Sequence, residues 1–301
     1  MKETSFDKLS NYMNKKSPIF GKLWLQSKDD FGDQWLKEIS ENISKLFGDE
    51  MNDLWDEAVK GYISFCMDAM KAMNYFEKHG EYKAKSYEEC VEECYRNPNY
   101  MKLRYLPGQY LSHYIWPHHQ RMLQHFVKVL LPKIEGDVSM FYEVGVGCGM
   151  YSQKTLEVLH SAKGIGFDIS DYALEFTYRL VDAHKFSNRY STCNQNIITD
   201  TPKTQADFVI CQEVLEHLEN PQEMVNALYR ATLPGGWGYI TAAVNAAHTD
   251  HIYLYRSPEE VKLQIESARW EIVDIQIEES YPEKPKEIRP TIAGFFVRKH
   301  K

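Results

Sequence analysis

The 301-residue chain is short of positive charge: 43 Asp and Glu outnumber 35 Lys and Arg, giving a formal net charge of −8. A protein that holds nucleic acid through its phosphates presents a basic face. The acidic balance therefore argues against general nucleic-acid binding and for a small or neutral partner. Long hydrophobic runs are also missing. No stretch approaches the ~20 apolar residues that span a bilayer, and Met1 to Lys16 is polar, without the apolar stretch of a secretory signal. Cysteine is sparse and scattered. Among Cys66, Cys90, Cys94, Cys148, Cys193 and Cys211, only Cys90 and Cys94 are close, and no second Cys/His pair of zinc spacing accompanies them. The pattern is that of free thiols in a reducing cytoplasm, where the chain is expected to reside. There are no internal repeats and no low-complexity segment. What is present, 43% hydrophobic and 26% charged residues, is ordinary for a soluble globular protein. The length leaves room for a core domain and an appendage.

The chain changes character near residue 137. Before it, apolar residues recur at helical spacing: Phe31, Trp35, Ile39, Ile43 and Leu46, then Leu54, Val59, Ile63, Cys66, Met70 and Met73. The methionines at 67, 70 and 73 are expected to be core rather than pocket lining. Turns are marked by Asn97-Pro98-Asn99 and Pro107-Gly108, and Pro117 opens a helix to about Leu131. After Gly136, short apolar runs alternate with helical stretches. Strands are expected at about Met140–Val144, Gly164–Asp168, Tyr190–Cys193, Asp207–Cys211, Trp237–Val244, Trp270–Glu278 and Ile292–Arg298. Helices fall at about 150–160, 171–185, 221–232 and 258–267. Repeated β-α-β units imply a mostly parallel sheet with helices on both faces. The last two strands are separated only by Tyr281 to Pro285, which suggests an antiparallel hairpin. The expected division is a helical lid or substrate domain over 1–132 and an α/β domain over 133–301.

The first strand runs into Gly145-Val-Gly147-Cys-Gly149 and then a helix. Glycines at alternate positions let the backbone turn sharply and approach a ligand, at the carboxyl end of a strand where open α/β sheets bind ligands. The spacing is G-x-G-x-G, not the G-x-G-x-x-G of dinucleotide folds, which disfavours an NAD-dependent oxidoreductase. The second strand ends in Asp168, placed about 20 residues beyond the loop to accept the ribose hydroxyls of an adenosine.

Glu143-Val-Gly-Val-Gly-Cys-Gly149, Phe167-Asp168-Ile-Ser, Asp207-Phe-Val-Ile-Cys-Gln-Glu-Val-Leu-Glu-His217 and Leu233-Pro-Gly-Gly236 occur in order. As a set, over about residues 137–300, they resemble the class I S-adenosylmethionine-dependent methyltransferases. The similarity is nearest to the branch acting on small molecules such as quinone precursors. The resemblance implies a Rossmann-like, seven-stranded, mostly parallel sheet with an antiparallel last strand, and S-adenosylmethionine as methyl donor. Carried over, Glu143 lies near the methionine amino group. Gly145, Gly147 and Gly149 pass under methionine and ribose, and Asp168 and Ile169 meet the ribose. Where relatives often place an Asp for the adenine, this chain has Asn196 and Ile197. Gln212 and Glu213 face the methionine end. Leu233 to Gly236 is expected to be a turn before the fifth strand.

Two segments are candidates for the acceptor side. Asn245 to Arg256 follows the fifth strand and packs His248, Asp250, His251, Tyr253, Tyr255 and Arg256 into a dense polar connector. His248 or His251 could take a proton from a substrate hydroxyl or amine, because imidazole titrates near neutrality; His217 is a third candidate. A metal held by His248, Asp250 and His251 would need ligands packed too closely for most geometries, so no metal is expected. Tyr105 to Arg121 is rich in aromatics and histidines. From it Tyr110, His113, Tyr114, Trp116, His118 and Arg121 are expected to close the pocket, with Asn245, Tyr253 and Arg256 opposite. The expected function is methyl transfer to a hydroxyl or amine of a small molecule, such as a specialised metabolite, without membrane association, and with a homodimer open. A non-catalytic cofactor-binding sensor or scaffold, and a methyltransferase acting on protein or RNA, are the alternatives.

Overall fold

The computed structural model describes residues 3–49, 52–280 and 288–301. Its centre is a seven-stranded sheet in the order β3-β2-β1-β4-β5-β7-β6. The strands are β1 (Met140–Val144), β2 (Lys163–Asp168), β3 (Tyr190–Asn194), β4 (Ala206–Cys211), β5 (Thr232–Val244), β6 (Trp270–Glu279) and β7 (Thr291–Lys299). The first five run parallel, and β7 lies antiparallel to both β5 and β6. Central strands such as β1 and β4 are apolar on both faces because helices cover both sides. The edge strand β6 alternates instead, with Val273, Ile275 and Ile277 on its open face. Residues 281–287, which hold the expected hairpin turn Tyr281 to Pro285, lie outside the described residues.

The helices Met150–Val158, Asp171–Ala183, Pro221–Ala231 and Pro258–Ser267 fall where helical spacing placed them. One local expectation needs correction. Leu233 to Gly236 is not a turn ahead of β5 but a bulge inside it. Thr232 already pairs with Ala206, and pairing resumes at Trp237 with Phe208. Gly235, at φ 76°, absorbs the extra residues. The helix from Pro117 runs on past Leu131 as expected, α-helical over Pro117–His125, π-helical over Phe126–Leu130 and α-helical again over Leu131–Lys133.

The N-terminal part is a helical layer: Ser5–Lys16, Pro18–Phe47 bent at Gly32, and Asp53–His79. A Thr4–Asp7 capping box starts the first helix and left-handed Gly80 ends the third. Trp35, Ile39, Ile43 and Leu46 are buried as their spacing implies, but Met67 and Met70 are exposed on the outer side of their helix. The helical layer shares one core with the sheet. Phe6, Trp24, Trp55 and Tyr62 belong to the same buried cluster as Phe126, Phe141, Phe208, Tyr239 and Phe296, with no break at residue 132.

Between β1 and β4 the connections diverge, β1 leading outward to β2 and β3 and β4 leading to β5 on the other side. Ligands of open α/β sheets bind in the crevice that this divergence opens at the carboxyl ends of the strands. The cap segment 87–109 roofs this crevice, through a π-turn over Val91–Tyr95 and another over Met101–Tyr105.

Candidate active site

The cleft lies over the ends of β1, β2 and β4. Its floor is Gly145, Gly147, Asp168, Ile169, Asn196, Ile197 and Glu213, and its roof is Tyr87, Tyr95, Met101, Tyr105 and Gln109. His217, Val214, Leu218 and Met224 close the far side.

The glycine loop is held open by its own backbone. Gly145, Gly147 and Gly149 all have positive φ, which a side chain would strain. A Cβ on Gly147 would come within 2.6 Å of Gln109 Oε1. That oxygen accepts the Cys148 N–H at 2.9 Å, so the cap is tied directly to the loop. Asp168 accepts the Gly147 N–H on Oδ2 at 3.2 Å and the Ser170 N–H on Oδ1 at 2.8 Å. Burial pushes its carboxyl up to about 6 despite these donors. Glu143 sits deeper, 2% exposed, and its Oε2 has no partner. Removal from water pushes this carboxyl up to about 8.

These groups fit S-adenosylmethionine, the donor implied by the resemblance. Glu143 is a buried carboxylate lacking a cationic partner, Asp168 is a carboxylate at the strand end, and the loop between them has no side chains to block approach. Ile197 is buried at the cleft wall; the Asn196 side-chain oxygen is already engaged by the Ile198 N–H at 3.0 Å. Gly149 caps the helix behind the loop, and Gln212 is buried beside the cleft without lining it.

Beyond Glu213 the cleft meets a buried polar cluster. Asp250, fully buried, accepts the Tyr95 hydroxyl at 3.2 Å and lies 2.8 Å from His248 Nδ1 and 3.4 Å from His217 Nδ1. Burial opposes its charge, but the His217 and His248 imidazoles win and hold the carboxyl well below the usual carboxylate range. His248 Nε2 is buried without a partner, and the ring packs against Tyr105 and Phe65. His251 Nδ1 is 2.6 Å from the Ala246 carbonyl, and burial keeps this ring neutral. Glu213, left-handed at φ 52°, accepts the Thr241 hydroxyl at 3.0 Å. Glu216 is fully buried with both oxygens unpaired, and burial raises it to about 8. Among the described residues, Glu216, His217 and His251 could together hold a metal ion.

The aromatic segment expected to close the pocket is placed elsewhere. Tyr110 packs against Phe47, Tyr114 and Phe176. Tyr114 accepts from Asn42 at 2.7 Å, and Trp116 donates to the Tyr62 hydroxyl at 3.1 Å. His113 and His118 are buried, which lowers them to about 4 and about 3. Arg121 pairs with Glu278 on β6 at 2.5 Å. All six are held by packing within the helical layer or against the α/β domain, and none of them lines the cleft. Asn245 and Arg256 likewise fasten the β5 connector: Asn245 donates to the Arg256 carbonyl at 2.9 Å, Arg256 donates to the Gly80 carbonyl at 3.2 Å, and Tyr253 packs on Tyr255. The roof residues Tyr87, Tyr95, Met101, Tyr105 and Gln109 were not singled out by sequence. Tyr105 and Gln109 begin the aromatic-rich segment, but Tyr87 and Tyr95 carry no local signal. Tyr95 and Tyr105 each end a π-helical turn where they meet the cleft.

Residues 142–237 match the family described as a methyltransferase domain. The ubiquinone biosynthesis O-methyltransferase of Nitrosomonas europaea is 27% identical over 138 residues, 44% of this chain and 58% of the relative. The protein of the same name from Nitrosospira multiformis is 31% identical over 101 residues, 33% of this chain and 41% of the relative. The chain thus spans about half the length of these curated relatives. Among solved structures, an O-methyltransferase family protein from Burkholderia thailandensis shares the fold with a TM-score of 0.54 at 12% identity, over 81% of this chain and 72% of that one.

Proposed function

We propose that this chain, whose residues 142–237 match a methyltransferase domain family, is a class I S-adenosylmethionine-dependent methyltransferase that methylates a hydroxyl of a small molecule. The observation that carries the reading is the buried Glu143 carboxylate, whose Oε2 has no partner, set with Asp168 around a glycine loop under a tyrosine roof. The O-methyltransferase names of the relatives support a hydroxyl rather than an amine. The overall acidic charge and the roofed cleft favour a small acceptor over RNA or protein.

When bound, S-adenosylmethionine supplies an electrophilic methyl on a sulfonium. The chain's own residues do the rest. Glu143 and Asp168 anchor the two polar ends of the donor, and Tyr87, Tyr95, Met101 and Tyr105 exclude water from the reacting centre. His248 is the proton acceptor. Ionised Asp250 receives its Nδ1–H, which leaves Nε2 with a free lone pair and stabilises the imidazolium after the proton arrives. Calorimetry with S-adenosylhomocysteine tests the reading. Wild type should bind, and Asp168→Ala should bind about 100-fold more weakly, the loss of charge-assisted hydrogen bonds worth about 3 kcal/mol. A wild-type protein that takes up neither cofactor form rules the proposal out.

A further inference from the structure

Glu216, His217 and His251 meet beside the cleft in an arrangement that donor binding does not use. Their ligand-capable atoms all lie within 4.8 Å of one another. Glu216 is fully buried and both its carboxylate oxygens lack partners. A buried carboxylate is costly unless it is paired or coordinates a cation. The two imidazoles are oriented for the same task. His251 Nδ1 is 2.6 Å from the Ala246 carbonyl, and His217 Nδ1 is 3.1 Å from the Asp250 carbonyl. Donating N–H to those carbonyls fixes the tautomer and leaves each Nε2 lone pair free, the usual support of a metal-ligating histidine. Asp250, 3.4 Å from His217 Nδ1 by its Oδ2, reinforces that orientation. His217 also lines the cleft, as does Glu213, three residues before Glu216.

We propose that Glu216, His217 and His251 bind a divalent first-row transition-metal cation, and that this cation receives the acceptor's hydroxyl oxygen. The inference rests on the methyltransferase reading. Two imidazoles and one carboxylate suit Mn²⁺, Fe²⁺, Co²⁺ or Zn²⁺ better than Mg²⁺ or Ca²⁺, which prefer oxygen. Three protein ligands leave positions open for substrate, as in catalytic rather than structural sites. The cation lowers the pKa of the bound hydroxyl, and its proton passes to His248. The oxygen lone pair then forms the O–C bond as the C–S bond of the sulfonium breaks, its electron pair staying on sulfur. The cation is unchanged. This set differs from the His248, Asp250, His251 trio read from sequence spacing. His248 and Asp250 instead support the ligands and move the proton.

The test strips the full chain with chelator and titrates it with Mn²⁺, reading free Mn²⁺ by electron paramagnetic resonance, with Zn²⁺ as competitor. S-adenosylhomocysteine affinity is measured on the same samples. Wild type should take up one Mn²⁺ per chain, displaced by Zn²⁺. Glu216→Gln and His251→Gln should lose that uptake while their cofactor affinity stays within about twofold. If Glu216→Gln does not fold, His251→Gln carries the comparison. Absence of uptake by a wild type that still binds S-adenosylhomocysteine overturns the metal site alone, as does full uptake by the variants. A wild type that binds no cofactor overturns the methyltransferase reading instead.

Discussion

The sheet wall of the cleft holds its functional groups through main-chain geometry, whereas the cap wall and the β5 connector hold theirs through side-chain packing. From β1 to β2, Glu143, three positive-φ glycines and Asp168 are fixed by strand pairing and by N–H groups donated to Asp168. Opposite them, Tyr95, Tyr105 and Gln109 reach the cleft from a cap segment that holds two π-turns and packs on a shared core. His217, His248 and His251 are gathered around Asp250 and Glu216 from two separate connectors. In the proposed reaction the first kind of wall would serve a donor that is the same for every acceptor, and the second kind would decide which acceptor is turned over and how it loses its proton.

Substitutions on the two walls should therefore separate donor binding from chemistry. The largest effect is expected at His248→Gln, which removes the proposed proton acceptor but keeps its volume. The turnover number should fall about 10²–10⁴-fold with S-adenosylhomocysteine affinity unchanged. Steady-state kinetics beside calorimetry reads this, and a parallel fall in cofactor affinity would merge the two walls.

Glu143→Gln should act oppositely, on binding and on stability. A glutamate ordinarily titrates near 4.5, and in the folded chain burial raises Glu143 to about 8. Between these values the native state binds more protons than the unfolded one, so stability falls as pH rises through the window. Glutamine removes that penalty. At pH 8 the ligand-free variant should melt higher than wild type, by about 2–4 °C for each kcal/mol relieved, while losing cofactor affinity. A melting point that is unchanged or lower would mean Glu143 already has a partner.

The smallest effect is expected at Tyr114→Phe. Its hydroxyl bonds Asn42 inside the helical layer, so the variant should lose about 1 kcal/mol of stability and no activity. A changed KM would return this residue to the acceptor pocket.

The glycine loop, Asp168 and the parallel strands were legible because each depends on local chemistry: alternation of apolar residues, glycine's access to positive φ, a carboxylate at a strand end. The aromatic segment misled because density of Tyr, Trp and His signals burial as readily as ligand contact. Tyr110, His113 and Tyr114 are almost fully buried between helices, which composition cannot distinguish from a pocket. Met67 and Met70 misled in the other direction, since their helical spacing does not reveal that their side of the helix faces solvent.

Sequence by itself determined the sheet, the positive-φ glycine loop and the carboxylate at the end of β2, because those reside in short contiguous motifs whose backbone requirements few residue types can meet. Tertiary structure alone decided the roof over the cleft and the meeting of Glu216 and His217 with His251. Those groups come from distant stretches of chain, and their convergence follows from how the cap and the β5 connector pack, which no local pattern encodes.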